Sequence, residues 1–164
     1  MIGEGNWKIE NGAIHGTRLK TEAGGGFLVT DQTYTDFTIR AKFKVDMGNS
    51  GLFFRIEEIG DGTVKGFQAE IDATRTVGGL YESKGRKWIS EPTPAQNATW
   101  FNPGEWNEIR VSAHAGHIVV TVNGKKSAEL TDDPGRRSGK IAIQVHGRPL
   151  GTDVWFRDIE IQVP

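Results

Sequence analysis

The amino-acid sequence predicts an all-β protein in which two antiparallel sheets pack face to face, as in a β-sandwich or jelly roll. About ten short segments alternate apolar and polar residues with the two-residue period of a half-buried strand. The chain also contains 22 glycines, a content typical of tight turns between short strands. Helical periodicity is almost absent, so the sequence argues against a helical bundle.

Length and composition narrow the organisation and the partners. A chain of 164 residues is long enough for one domain, and we expect a single β-sandwich domain over residues 1–164. The absence of Cys excludes disulfides and thiolate zinc sites. The formal net charge is -1 and there is no basic run, so nucleic acid is not an expected partner. No stretch approaches the roughly 18 apolar residues of a membrane span, so no membrane partner is expected.

The first third of the chain predicts a hairpin and a long strand. Residues 7–9 and 13–15 flank the dipeptide Asn11-Gly12. Asn-Gly is the strongest two-residue hairpin signal, because both positions tolerate positive φ. Residues 37–45 then alternate more regularly than any other segment, which predicts a strand with one buried face.

The next predicted strand, residues 52–57, has an arginine at one of the positions that alternate with its apolar residues. Phe54 is expected to face the core and Arg55 the opposite side. A buried or half-buried Arg usually pairs with a carboxylate. We therefore expect a partner on the following strand, at Glu70 or Asp72.

Residues 66–72 carry the most suggestive pattern in the chain. Apolar residues alternate there with Gln68, Glu70 and Asp72, so one face can be buried while the other presents an amide and two carboxylates. Carboxylates two residues apart on a strand lie roughly 6–7 Å apart. This spacing suits a shared proton, a shared cation or the hydroxyls of a sugar. An ordinary solvated strand face is the alternative interpretation.

A non-periodic stretch follows at residues 84–102 and is interpreted as a long loop. Such loops are more often functional or disordered than structural. Tyr81, Trp88 and Trp100 lie in or beside this stretch. They are candidates for stacking against a sugar ring, because apolar sugar faces pair well with aromatic faces, but they could equally cap the core.

The last part of the chain predicts further strands. Residues 106–122 indicate a meander, and residues 154–163 a final strand with a bulge where the alternation breaks. Residues 139–146 place Gln144 and His146 on a polar face. The core residues predicted from all strands are Phe37, Ile39, Phe43, Leu52, Phe54, Phe67, Ile71, Ile109, Val111, Ile118, Val120, Ile141, Ile143 and Val145.

Glu70 and Asp72 resemble the start of the Glu-x-Asp-x-x-Glu strand of laminarinase-type retaining glucanases. Retaining hydrolysis needs a second carboxyl group about 5–5.5 Å from the first. In this chain Arg75 stands at the final position, and a guanidinium does not give up a proton at useful pH. The sequence therefore disfavours ordinary retaining glycosidase chemistry.

His146 is the remaining titratable candidate, although a lone His is often only a hydrogen-bonded structural residue. With Glu70 and Asp72 it could act as a base or complete a site for a divalent cation. No His-x-His or His-Glu-x-x-His spacing supports a tight transition-metal site, and no cofactor is certain. We expect Arg55, Gln68, Glu70, Asp72, Gln144 and His146 to converge on one concave face.

Eight short motifs follow one another in a fixed order along the chain. They occupy residues 7–16, 36–40, 48–55, 66–72, 78–82, 104–107, 143–146 and 154–159. This series resembles the 3-keto-disaccharide hydrolase domain family of bacteria, whose members have a concanavalin A-like lectin/glucanase fold. Each motif alone is weak, but the ordered series is specific. Many members have Glu and then Gln where this chain has Gln68 and then Glu70.

The resemblance implies a hydrolase for glycosides, including disaccharides, that are oxidised to a ketone at sugar carbon 3. The ketone acidifies the proton at carbon 2, so that a base can remove it and the group at carbon 1 leaves, after which water adds. In this scheme His146 or Glu70 is the base, and Arg55, with or without a bound divalent cation, stabilises the enolate. Gln68, Asp72 and Gln144 are assigned to position the sugar.

Two further expectations accompany the resemblance. A non-catalytic carbohydrate-binding module on the same fold is the alternative function, since a fold does not fix a function. In both cases the expected partner is a carbohydrate. The family also suggests a periplasmic or secreted bacterial protein whose leader is absent from this chain.

Overall fold

The computed structural model describes residues 1–147 and 150–164, and that part of the chain contains fourteen strands and one helix. In chain order the elements are β1 (Ile2–Gly3), β2 (Asn6–Glu10), β3 (Ala13–Arg18), β4 (Gly26–Val29), β5 (Phe37–Met47), β6 (Asn49–Gly60), β7 (Thr63–Asp72), β8 (Leu80–Ser83), β9 (Lys87–Ser90), α1 (Pro94–Trp100), β10 (Asn107–His114), β11 (His117–Val122), β12 (Lys125–Leu130), β13 (Lys140–Val145) and β14 (Thr152–Gln162). Within the described ranges, no helix is long and apolar enough to cross a membrane.

The strands form two antiparallel sheets of seven strands each, which confirms the predicted all-β sandwich. One sheet, called the site sheet below, has the strand order β1-β4-β13-β6-β7-β8-β9. The other, called the back sheet, has the order β12-β11-β10-β5-β14-β3-β2. Neighbouring strands are often distant in the sequence, so each sheet is built from all parts of the chain.

The core lies between the two sheets. All fourteen core residues predicted from the alternation are at most 5% exposed and belong to one cluster. Phe37 and Phe43 enter it from the back sheet, whereas Phe54 and Phe67 enter from the site sheet and stack with ring centroids 5.5 Å apart. Burial of each such side chain stabilises the fold by about 1.5–3 kcal/mol.

The register of β6, β7 and β8 decides which residues share the outer face of the site sheet. Gly51 lies opposite Glu70, and Phe53 lies opposite Gln68. Gln68 in turn lies opposite Tyr81 on β8. Because directly opposed residues point to the same side of a sheet, all five are on the face away from the core.

A bulge interrupts β6. The register with β7 shifts between Phe54 and Glu57, and Arg55 within this segment has a φ of 50°. An extra residue in one strand of a pair breaks the alternation of faces. Ile56 consequently packs with Phe53 on the outer face instead of with Phe54 in the core.

The predicted long loop at residues 84–102 is wrong, because this stretch contains β9 and α1. The helix begins with a capping box in which Thr93 Oγ1 accepts from the backbone N–H of Gln96. The Gln96 side chain accepts in return from the backbone N–H of Thr93 at 2.9 Å. Two donors at the start of the helix are thereby satisfied by local contacts.

The first and last predicted strands are confirmed. β2 and β3 pair across a turn in which Asn11 and Gly12 have φ values of 52° and 73°. β14 departs from regular pairing with β5 at two places, between Asp153 and Val154 and between Arg157 and Glu160.

Candidate functional site

A groove of about 500 Å³ lies on the outer face of the site sheet, a size typical of small-molecule sites. Its polar half is lined by Asn49, Gln68, Glu70, Gln144 and His146. Its apolar half is lined by Phe27, Phe53, Val64, Tyr81 and Trp88. Six of the residues predicted to form a site therefore line one groove: Gln68, Glu70, Gln144, His146, Tyr81 and Trp88.

Glu70 is nearly buried on β7 and is held by two side-chain amides. Gln68 Nε2 donates to Glu70 Oε2 at 2.6 Å, and Asn49 Nδ2 donates to Glu70 Oε1. Gln68 Nε2 also donates to the carbonyl oxygen of Ser50 at 3.3 Å. A Cβ on Gly51 would lie only 2.7 Å from Gln68 Nε2, so the glycine leaves the space in which Gln68 meets the carboxylate.

Asn49 connects the carboxylate to His146, the residue that directly follows β13. Its side chain contacts Glu70 and also donates to Asp72 Oδ2 at 3.1 Å. Its backbone carbonyl accepts from the backbone N–H of His146 at 3.2 Å. β6, which begins at Asn49, lies between β7 and β13 in the site sheet, so Glu70 and His146 flank one strand on the same face.

Gln144 lines the groove, and the oxygen of its side-chain amide is buried. Ser50 Oγ donates to the backbone carbonyl of Gln144 at 2.6 Å and fixes this part of β13. The Oε1 atom of the Gln144 side chain is buried and accepts no hydrogen bond from the described residues. Because a buried acceptor without a donor is costly, this atom suits a ligand hydroxyl.

Asp72 does not line the groove, although its carboxylate is joined to the polar half through Asn49. Asp72 Oδ1 accepts from the backbone N–H and the hydroxyl of Thr74 and from the backbone N–H of Arg75. Burial alone would raise the pKa of Asp72. The hydrogen bonds from Asn49, Thr74 and Arg75 outweigh this effect and lower the pKa below its ordinary value of 3.8.

Tyr81 and Trp88 form one wall of the groove. Their rings meet edge to face, with centroids 5.2 Å apart, on the paired strands β8 and β9. Trp88 is 36% exposed, so much of its indole is accessible to a ligand. Both aromatic side chains line the groove, and their stacking against a sugar stays a prediction.

Trp100 lies elsewhere, and its predicted role in sugar stacking is wrong. It is 9% exposed, belongs to the core cluster between the sheets and lies at the end of α1. Its indole Nε1 donates to the carbonyl oxygen of Val77 at 2.9 Å. Trp100 therefore caps the core, the alternative that the sequence left open.

Arg55 also lies outside the groove, so its predicted pairing with Glu70 or Asp72 is wrong. Its guanidinium is 1% exposed and donates to the carbonyl oxygens of Thr35, Ala115 and Arg136 at 2.8–3.1 Å. The physical reason is the bulge in β6, which turns this side chain away from the outer face. Burial lowers the pKa of Arg55, and the nearby carboxylate of Asp36, at 3.5 Å, opposes that shift.

The predicted cation site at Glu70, Asp72 and His146 has no preformed ligand cluster. In the described ranges, no group of three or more His, Asp or Glu side chains is placed to hold a metal ion. The carboxylate oxygens of Glu70 and Asp72 are instead directed at amide, hydroxyl and backbone donors, among them Asn49.

The family model of the 3-keto-alpha-glucoside-1,2-lyase-like domain matches residues 2–162. The chain belongs to this family. The resemblance inferred from the ordered motifs is thereby confirmed.

Known proteins similar to this lyase-like domain include both a hydrolase and a binding module. A protein of Bacteroides thetaiotaomicron named 3-keto-disaccharide hydrolase is 24% identical over 208 aligned residues, covering 96% of this chain and 70% of that protein. The carbohydrate-binding module CBM66 of Bacillus subtilis has a TM-score of 0.74 at 16% identity, covering 98% and 92% of the two chains. A Bacillus subtilis protein of unknown function with a galectin-like fold has a TM-score of 0.70 at 17% identity, covering 98% and 87%.

Proposed function

We propose that this protein cleaves 3-keto-glycosides in the groove by removing the proton at carbon 2, eliminating the group at carbon 1 and adding water. The observation that carries the proposal is that Glu70 and His146 line one groove and that both form hydrogen bonds with Asn49. Glu70 accepts from the Asn49 side chain, and the backbone N–H of His146 donates to the Asn49 carbonyl. A carboxylate and an imidazole beside a sugar-sized space supply the groups that proton transfer at carbon 2 requires. The family to which the chain belongs supports the same chemistry.

The proposed reaction has two stages. In the first, the base takes the carbon 2 proton, a double bond forms between carbons 1 and 2, and the bond from carbon 1 to the leaving oxygen breaks. The leaving oxygen takes up a proton and departs as an alcohol. In the second stage, water adds its hydroxyl to carbon 1 and a proton returns to carbon 2, which gives the free 3-keto sugar.

We assign His146 as the base, because imidazole has an ordinary pKa close to neutral pH and a base is most effective there. Glu70 is assigned to bind a sugar hydroxyl. Two side-chain amides hold this carboxylate, and the N–H groups of both already have acceptors. Gln68 donates to Ser50 and Glu70, and Asn49 donates to Glu70 and Asp72. The amides therefore orient the carboxylate, and the carboxylate is the group assigned to contact the ligand.

Gln144 is assigned to position the sugar, because its buried Oε1 offers an acceptor to a second hydroxyl. Tyr81 and Trp88 are assigned to stack against the ligand. Arg55 has no role in this proposal, since its guanidinium is bonded to backbone carbonyls outside the groove.

The test is to incubate the protein with a 3-keto-glucoside and, separately, with the unoxidised parent, and to follow release of the leaving group. We expect release from the ketone alone, because only the ketone acidifies the carbon 2 proton. Cleavage of the parent at a similar rate would contradict the proposed chemistry.

A carbohydrate-binding module is the second candidate, favoured by the similarity to CBM66. In that case the groove would bind a sugar without cleaving it. Calorimetric binding of a glycoside, together with no release from its 3-keto derivative, is the result that would support the module over the enzyme.

A further inference from the structure

We propose that Thr152 is a positioning residue, which holds the backbone of His146 from the opposite sheet and so keeps the imidazole in place at the groove. This inference rests on the proposed function, in which His146 is the base, and adds to it a residue that does not line the groove. It depends on the hydrogen bonds of Thr152, on its burial and on the close contact between the two sheets at this point.

The backbone of His146 is held by residues outside its own strand. His146 directly follows β13, so it lies one residue beyond the strand pairing. Its backbone N–H donates to the carbonyl oxygen of Asn49 at 3.2 Å. Its own carbonyl oxygen accepts from Thr152 Oγ1 at 3.2 Å. Asn49 and Thr152 therefore fix both backbone groups of the residue that carries the imidazole.

One hydroxyl group connects both carbonyls. Thr152 Oγ1 also donates to the carbonyl oxygen of Asn49, at 3.3 Å. Because a hydroxyl has a single proton, the two carbonyls share it in a three-centre hydrogen bond. The side chain of Asn49 in turn donates to Glu70. A single side chain thus fixes the separation between His146 and the residue that holds the carboxylate.

The burial of Thr152 shows that its hydroxyl depends on these partners. Thr152 is 2% exposed and alternates along β14 with Val154 and Phe156, which are fully buried in the core. Val has the same branched shape and would suit an apolar row of this kind. A buried hydroxyl is costly unless it is hydrogen-bonded. The two carbonyls supply the bonds that make Thr acceptable at this position.

The two sheets approach closely where Thr152 acts. Thr152 lies in the back sheet, opposite Arg18 on β3, whereas Asn49 lies in the site sheet. Gly48, between β5 and β6, has a φ of 81°, which favours glycine. A Cβ on Gly48 would lie 2.8 Å from Thr152 Oγ1 and would overlap the carbonyl oxygen of Gly151. The glycine therefore lets the start of β14 reach the backbone behind the polar half of the groove.

The test begins with Thr152→Val, which removes the hydroxyl proton at nearly constant shape. We expect kcat on a 3-keto-glucoside to fall by about 10- to 100-fold, because a displacement of about 1 Å at a catalytic group can cost that much. KM should change by less than about threefold, since Glu70 and Gln144, the groups assigned to bind the sugar, remain. Thr152→Ser retains the proton and should keep kcat within about threefold of wild type.

Two further variants separate positioning from a general loss of stability. Ser127→Ala removes a hydroxyl that donates to the carbonyl of Val120 at 3.2 Å, at the far edge of the back sheet, and should leave kcat unchanged. In the double variant, Thr152→Val should cause no further loss beyond that of His146→Ala, because residues that act as a unit are not additive. A full additional loss in the double variant would overturn the inference.

A measurement without turnover keeps the inference distinct from the proposed function. The imidazole NMR signals of His146, assigned by their loss in His146→Ala, should shift in Thr152→Val but not in Thr152→Ser or Ser127→Ala. If the wild type cleaves no 3-keto-glucoside but this pattern is found, the proposed function fails and the positioning role is supported. Unchanged signals in Thr152→Val, or equal changes in Ser127→Ala, would overturn the inference. Thermal unfolding verifies that each variant is folded, and Thr152→Ala replaces Thr152→Val if the latter does not fold.

Discussion

At the scale of single residues, Asn49 organises the polar half of the groove. Its side chain donates to Glu70 and Asp72, and its backbone carbonyl accepts from His146. The alternation in residues 66–72 and 139–146 predicted the faces of Glu70 and His146. It did not predict Asn49, because the composition of residues 47–51 is typical of a turn. Only the pairing of β6 with β7, which no local pattern encodes, places Asn49 opposite Asp72.

The first prediction concerns the carboxylate and the imidazole that line the groove. His146→Ala should lower kcat on a 3-keto-glucoside by about 10²- to 10⁴-fold, the usual contribution of a positioned base. Glu70→Gln should cause a loss within the same range, because it replaces a charged acceptor for the sugar. Steady-state kinetics and thermal unfolding of each variant are the measurements.

The matched control for these variants is Glu58→Gln. Glu58 is an exposed carboxylate on β6 that lies outside the groove, so this change should leave kcat unaltered. Wild-type kcat in His146→Ala would contradict the assignment of the base. If Glu70→Gln alone abolished turnover, the carboxylate would be the base instead.

The second prediction concerns pH and Asp72. Because its pKa is lowered in the folded protein, the carboxylate adds stability above its ordinary pKa of 3.8, and this stability is lost as the pH falls through the lowered value. Asp72→Asn should therefore lower the free energy of unfolding at neutral pH. The difference from wild type should disappear in strong acid.

Urea unfolding of both proteins over a series of pH values measures this difference. A difference that is constant from neutral pH to strong acid would show that the hydrogen bonds of Asp72 do not favour its charged form. Asp31→Asn, at an exposed carboxylate, serves as the control.

At the scale of single elements, the bulge in β6 directs the side chain of Arg55 away from the groove. The alternation of residues 52–57 predicted Arg55 on the outer face, and this was wrong because an inserted residue changes the faces without leaving a signal in the polarity pattern. The only signal available in the sequence is the poor fit of an Arg in a strand that is otherwise mostly apolar.

The third prediction follows from the buried guanidinium. Arg55→Lys removes the planar fork that reaches Thr35, Ala115 and Arg136, and should lower the free energy of unfolding by about 3 kcal/mol. For a chain of this length that corresponds to a decrease in Tm of roughly 6–12 °C. Turnover per folded molecule should be unchanged below the transition, whereas a loss of kcat without a loss of stability would restore Arg55 as an enolate stabiliser.

The fourth prediction compares two Trp residues that the sequence could not distinguish. Trp88→Ala should weaken glycoside binding by about fivefold, or about 1 kcal/mol, with little effect on stability, because Trp88 is partly exposed in the groove. Trp100→Phe should leave binding unchanged but lower stability by about 1–3 kcal/mol, because the carbonyl of Val77 loses its donor. Calorimetry with a glycoside and chemical unfolding distinguish the two effects. The reverse pattern would show that α1 contributes to ligand binding.

At the scale of the whole molecule, periodicity predicted the class of fold and its core, because alternation reports directly which side of a strand is buried. It did not predict the strand order. β13 lies between β4 and β6, and β14 lies between β3 and β5, and these neighbours are set by contacts between distant parts of the chain. The ordered motifs narrowed the family to one that matches residues 2–162, yet the positions of Arg55 and Trp100 required the folded structure.

The central claim is that the groove removes a proton from carbon 2 of a 3-keto sugar. Its most direct test is to cleave an undeuterated 3-keto-glucoside in D₂O and to locate deuterium in the product by NMR or mass spectrometry, with a sample lacking protein as the control for spontaneous exchange. The account predicts one solvent deuteron at carbon 2 of the released sugar, its loss in His146→Ala, and no cleavage of the unoxidised glycoside. Rapid cleavage that leaves the original proton at carbon 2 would contradict it.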